Sequence, residues 1–158
     1  MKRTMLLALA LSVSMAQADG GWLHESGEVE AIFQDGGNTI LDETAKREVT
    51  PRLEFRCDHS GGEIIARIDW RRFISSFGTA VGFKVDGGAF TWLKWKVDSS
   101  EQVTVSPSAD DTQKLIGTLE GGESLLIDVT PYSEGPVTVT FDLAGFEEAL
   151  GDLRERCR

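Results

Sequence analysis

Short runs of alternating apolar and polar residues, turn residues between them, and one pair of cysteines predict an all-β fold. The expected form is a β-sandwich of antiparallel strands with a C-terminal α-helix and one short internal helix. An open barrel is the other arrangement the pattern allows. In Leu53-Glu54-Phe55-Arg56-Cys57, in Ile64 to Trp70 and in Val81 to Val85, every second residue is apolar. Successive side chains of a strand point to opposite faces, so these runs read as half-buried strands. Ala89 to Val97 puts Thr91, Leu93, Trp95 and Val97 on one face, and Asp86-Gly87-Gly88 before it has hairpin-turn chemistry. Val81 to Val97 is therefore a predicted hairpin. Leu125, Ile127 and Val129, then Val137, Val139, Phe141 and Leu143, predict a second one across the loop Pro131 to Pro136. Val29, Ala31 and Phe33 suggest an N-terminal strand and Val103 to Val105 a short one, while Gly36-Gly37-Asn38 reads as a turn and Asp42 to Glu48 as a loop.

Two segments break the alternation. Phe146, Leu150, Leu153 and Cys157 fall at steps of four, three and four, one stripe of a helix, with Glu147 and Glu148 early and Arg154, Arg156 and Arg158 late. Asp142 is the expected cap. Leu115, Ile116 and Leu119 predict the internal helix over Thr112 to Glu120, with Asp110 or Asp111 as cap and Gly121-Gly122 as stop.

The N-terminal residues read as a secretory signal. Lys2 and Arg3 precede the apolar run Met5 to Met15, and Ala16-Gln17-Ala18 is an A-x-A cleavage site. The run is too short to span a bilayer. Cleavage after Ala18 leaves 19–158 as one expected domain, periplasmic or secreted, with no membrane insertion. Without Lys2 and Arg3, the 16 basic residues fall to 14 against 26 acidic ones, a formal charge of −12. Such a surface disfavours nucleic acid. Cys57 and Cys157 are the only cysteines. In an oxidising compartment they read as a disulfide, and Cys157 shares its helical stripe with Phe146 and Leu153, so the bridge would pin that buried face to the strand of Cys57. A reactive thiol is the alternative.

Few residues offer catalysis. The histidines are His24, which reads as a surface residue, and His59, whose spacing from Cys57 is a weak zinc signal with no second pair. Asp110-Asp111 lacks the frame of a calcium loop. There is no G-x-S-x-G elbow, P-loop or H-E-x-x-H helix. An acidic pair for hydrolysis remains open, because 26 acidic residues make close pairs inevitable. The expectation is a protein without enzymatic activity, cofactor or bound metal.

A binding signal is clearer. On Ala89 to Val97 the face opposite Leu93 and Trp95 carries Phe90, Trp92, Lys94 and Lys96, and outward residues of nearby strands include Arg52, Arg56, Arg67 and Lys84. Tryptophan and arginine are enriched at the centres of interfaces. The candidate binding face is Phe90, Trp92, Lys94, Lys96, Arg56 and Arg67, for a protein partner. A glycan stacked on Phe90, Trp92 and Trp70 is an alternative. In a third arrangement Phe90 and Trp92 pack beneath the internal helix and bind nothing.

The stretch Val137-Thr138-Val139-Thr140-Phe141-Asp142-Leu143-Ala144-Gly145-Phe146, continuing to Leu153-Arg154-Glu155-Arg156-Cys157, resembles the end of the TagO/VasI-type family. These are small periplasmic proteins associated with bacterial type VI secretion. Leu53 to Cys57 is similar to that family's first-cysteine strand, and Val81-Gly82-Phe83-Lys84-Val85-Asp86 to the strand after it, whereas Asp19 to Thr50 departs from the pattern. The resemblance implies a non-catalytic accessory protein that binds another envelope protein.

Overall fold

The computed structural model describes residues 21–58 and 62–158. The expected signal segment 1–18, its cleavage site and His59 lie outside the described residues. In chain order the elements are β1 (Leu23–Glu25), β2 (Val29–Asp35), β3 (Ile40–Asp42), β4 (Arg47–Val49), β5 (Arg52–Asp58), β6 (Ile65–Asp69), β7 (Thr79–Val85), β8 (Thr91–Val97), β9 (Val103–Val105), α1 (Ala109–Leu119), β10 (Ser124–Val129), β11 (Val137–Asp142) and α2 (Phe146–Arg156).

Nine strands form one antiparallel sheet in the order β1-β2-β5-β6-β9-β8-β7-β10-β11, and β3 and β4 make a separate hairpin. The sheet has two leaves. Among the described residues, strand pairing joins β1-β2-β5-β6-β9 to β8-β7-β10-β11 where Lys96 and Val97 pair with Val105 and Thr104. On the opposite side the leaves meet again, where Gly37 donates its N–H to the Thr140 carbonyl at 2.8 Å. Between them lies one apolar core, which is the sandwich the alternation predicts. Both predicted hairpins form: β7 pairs with β8 through Val81–Leu93, and β10 with β11 through Ile127–Val139. The first turns at Asp86 (φ 50°) and Gly87 (φ 69°), two left-handed residues in succession closed by the Gly88 N–H on the Val85 carbonyl at 2.9 Å, and Gly88 to Phe90 complete the connection.

Both helices lie against the core. α2 buries Phe146, Ala149, Leu150 and Leu153. Phe146 meets Trp22 and Phe55 with ring centroids 5.0 and 5.2 Å apart, and burial of rings this size contributes about 2–3 kcal/mol each. Cys57 and Cys157 are bridged, with their Cα atoms 6.0 Å apart, at the end of this same face. α1 buries Thr112, Leu115, Ile116 and Leu119. The Thr112 hydroxyl accepts from the Ala66 N–H of β6 at 3.2 Å and lies 2.6 Å from the Ser106 hydroxyl.

Several local expectations are corrected. α1 is capped by Ser108, whose hydroxyl accepts from the Asp111 N–H, while Asp110 and Asp111 occupy the first turn, where carboxylates favour the helix dipole. Asp142 does not cap α2: its carboxylate accepts from the Ala144 N–H at 2.8 Å, and the helix starts from Gly145, held at φ 75°. The loop expected over Asp42 to Glu48 is the tip of the β3–β4 hairpin, with Asp42 accepting from the N–H groups of Thr44 and Ala45. No helix among the described residues is long and apolar enough to cross a membrane.

Candidate binding face

The alternation in β8 divides its side chains cleanly. Trp95 points into the core against Phe83, with centroids 5.3 Å apart. Trp92, Lys94 and Lys96 point outward and are exposed, Trp92 to 53%. The neighbouring strand β7 explains how a large ring can rest there. Gly82 pairs with Trp92 and Ala80 with Lys94, so β7 offers small residues opposite both of them. A Cβ placed on Gly82 would lie 2.9 Å from Trp92 ring atoms and 3.0 Å from Phe90. The Trp92 ring thus lies over bare backbone, a close approach that only glycine permits.

Phe90 extends the platform. Its ring stacks on Trp92 with centroids 5.3 Å apart and planes inclined by 29°. The Lys84 ammonium sits 4.8 Å from the Phe90 centroid, a cation–π contact. Lys84, Lys94 and Lys96 make no ion pair among the described residues; Lys96 reaches only the Pro107 carbonyl, at 3.4 Å. The structure therefore assembles two stacked rings and three uncompensated ammonium groups on one outward surface.

The arginines grouped with them behave differently. Arg67 lies on the same face, since it pairs with Val105, which pairs with Lys96. Its guanidinium, however, donates to Glu54 at 3.0 Å and lies 3.7 Å from Asp98, and Arg56 sits 3.5 Å from the same Glu54. Arg52 is taken by Asp35 at 2.8 Å and lies over the Phe33 ring. Hydrogen bonding to Arg52, with Arg71 nearby, holds the Asp35 carboxyl below the usual range, and Asp35 in turn raises Arg52. The arginine half of the expected face is thus a neutral lattice of ion pairs, and the free positive charge belongs to the lysines.

Two further expectations are corrected. Phe90 and Trp92 do not pack beneath the internal helix, because α1 lies on the core side against β6. Trp70 cannot stack with a ligand: it is 0% exposed, and its indole N–H donates to the Thr104 hydroxyl at 3.0 Å.

No family model, no curated protein and no solved structure matches this chain. The functional reading rests on the face itself.

Sequence reasoning passed over two other surface features. Phe77 (71% exposed) and Tyr132 (66%) stand on loops joined by the Tyr132 N–H, which donates to the Ile74 carbonyl at 2.8 Å. A lone aromatic between turn residues, as in Ser75-Ser76-Phe77-Gly78, is the signal that could have marked Phe77. A groove of about 510 Å³ lies where the leaves meet, lined by Leu23, Gln34, Asp35, Glu123, Thr140 and Asp142 among others. His24 is exposed and hydrogen-bonded to Arg156.

Proposed function

We propose that this chain is a non-catalytic, exported binding protein that uses the Phe90–Trp92–lysine face to hold another envelope protein, in the setting of type VI secretion. The observation that carries the reading is Trp92, an indole packed against Gly82 and left half open to solvent beside three lysines without ion pairs among the described residues. Tryptophan is prominent among the residues that dominate interface energies. The signal-like pattern of residues 1–18, the pair Cys57–Cys157 and the family resemblance support the periplasmic setting.

The test is a pull-down from envelope extract with the disulfide-bonded protein and with Trp92→Ala. A specific partner retained by the first and lost by the second supports the reading. Identical capture by both, or no partner, removes it.

A second reading is favoured by one feature. Trp92 is 53% exposed, and an open indole is the kind of surface on which a sugar ring stacks, so a carbohydrate or peptidoglycan fragment could occupy the same place. Unchanged tryptophan fluorescence on titration with glycan fragments would dismiss it.

A further inference from the structure

We infer that the occupant of this face is an extended acidic segment of a partner protein, with two carboxylate side chains at alternate positions adjoining two apolar ones; this rests on the binding role proposed above. The first argument is spacing. Trp92, Lys94 and Lys96 are alternate residues of β8 on one face, so their Cα atoms recur about every 6.6–6.8 Å. An extended peptide laid along β8 repeats its own side chains on one face at the same interval. Phe90 and Trp92 then form the apolar half of the row, and Lys94 and Lys96 the cationic half.

Charge supplies the second argument. The chain carries a formal charge of −10, yet Lys84, Lys94 and Lys96 stand together here without ion-pair partners among the described residues. Lys84 over Phe90 makes even the aromatic end positive, which disfavours a cationic ligand. One carboxylate shares the row of Trp92: Asp128 pairs with Gly82, and it already accepts from the Thr138 hydroxyl at 3.2 Å. Long polyanions such as nucleic acid meet the negative remainder of the surface, whereas a segment of a few residues need touch only this strand.

β7 pairs along one edge of β8, and β9 covers the other at Lys96 and Val97, so Trp92, Lys94 and Lys96 meet the ligand through the outward face of the strand. The ligand lies across the face and is held by side chains. Affinity then depends on ring burial and on charge pairs that added salt screens.

The experiment titrates the disulfide-bonded protein with the blocked peptide Leu-Ser-Leu-Ser-Glu-Ser-Glu and its reverse, with a lysine-for-glutamate control, following tryptophan fluorescence and, for all variants including Trp92→Ala, which lacks the reporting indole, isothermal titration calorimetry. Trp92 is the one exposed indole among Trp22, Trp70, Trp92 and Trp95, so the signal reports on this face. Expected are saturable binding of a glutamate peptide and none of the control. Either Trp92→Ala or Lys94→Glu with Lys96→Glu should weaken binding by at least about tenfold. All these positions are exposed, and circular dichroism verifies that the variants fold. Equal binding of the lysine control, or unaltered binding by both variants, overturns the inference. So does a response to oligogalacturonate without one to either peptide, which would assign the face to an acidic glycan. If neither probe binds while the pull-down retains a Trp92-dependent partner, the segment chemistry is wrong and the binding role survives.

Discussion

The side-chain amide of Gln34 exchanges two hydrogen bonds with the backbone of Asp142: its Oε1 accepts from the Asp142 N–H at 2.8 Å, and its Nε2 donates to the Asp142 carbonyl at 3.0 Å. Asn38 does the same one step along, accepting from the Thr140 N–H at 2.9 Å and donating to the Thr138 carbonyl at 3.0 Å. With the Gly37 N–H on the Thr140 carbonyl, these amides serve β11 as a neighbouring strand would. An edge strand with open backbone groups is a template for aggregation, and here it is closed by two side chains. Gln34→Ala should cost about 1–2 kcal/mol in denaturant unfolding, with Asn38→Ala, more exposed, at the lower end. The double variant should also self-associate in size-exclusion chromatography as protein concentration rises. Monomeric behaviour would show that the edge is protected by other means.

The bridge between Cys57 and Cys157 closes a loop spanning a sequence separation of 100. Chain entropy assigns such a loop about 4–5 kcal/mol, less whatever structure the unfolded chain retains. Cys57→Ser with Cys157→Ser should lower unfolding stability by several kcal/mol, and intact mass should rise by about two hydrogens on reduction of the native protein. Two free thiols in protein isolated from the envelope would overturn the oxidising-compartment assignment.

Arg72 is 2% exposed and is hydrogen-bonded to Glu134 and to the Leu41 carbonyl. Removing one partner of a buried pair leaves a charge uncompensated, at about 3–5 kcal/mol. Glu134→Ala should therefore destabilise more than Arg72→Met, because Glu134 can turn to solvent and Arg72 cannot. Equal losses in thermal unfolding would mean that the Leu41 carbonyl, not the carboxylate, holds Arg72.

Asp86 accepts from the N–H groups of Ser124 and Glu123 and from the Ser124 hydroxyl, and these bonds hold its carboxyl below the usual range. A depressed folded pKa stabilises above the unfolded value of about 3.9, and that contribution disappears as pH falls through the folded pKa. Wild type should exceed Asp86→Asn in stability from neutral pH down to about 4, and the gap should narrow on further acidification. A constant gap would show that the carboxylate's charge plays no part.

Legibility in the sequence followed element length. Val81 to Val97 and Leu125 to Leu143 carry enough alternating positions to reveal both partners of each hairpin. β1, β3 and β4 have three residues each and, unlike Val103-Thr104-Val105, none reads apolar–polar–apolar, while all three β1 residues are exposed. The helix stripe through Phe146, Leu153 and Cys157 was readable because one face repeats over three turns. Its start was not, since Gly145 acts through backbone conformation and Asp142 is committed to the turn before it. At the binding face, outward direction followed from alternation for Trp92, Lys94 and Lys96. That Arg56 and Arg67 share Glu54, with Asp98 beside Arg67, depends on the register of β5 against β6, which no single strand discloses.

The bridge also determines how the chain transmits tension. A pull between the described N-terminal residues and Arg158 travels along the backbone to Cys57, crosses the sulfurs to Cys157, and leaves by the last residue. The 100-residue span between them is out of the load path. At about 3.3–3.6 Å per residue, some 330–360 Å of contour cannot be drawn out until the sulfurs separate. Of the described residues, only β1 to β5 can be peeled away under force, while the strand bearing Trp92 stays inside the covalent loop.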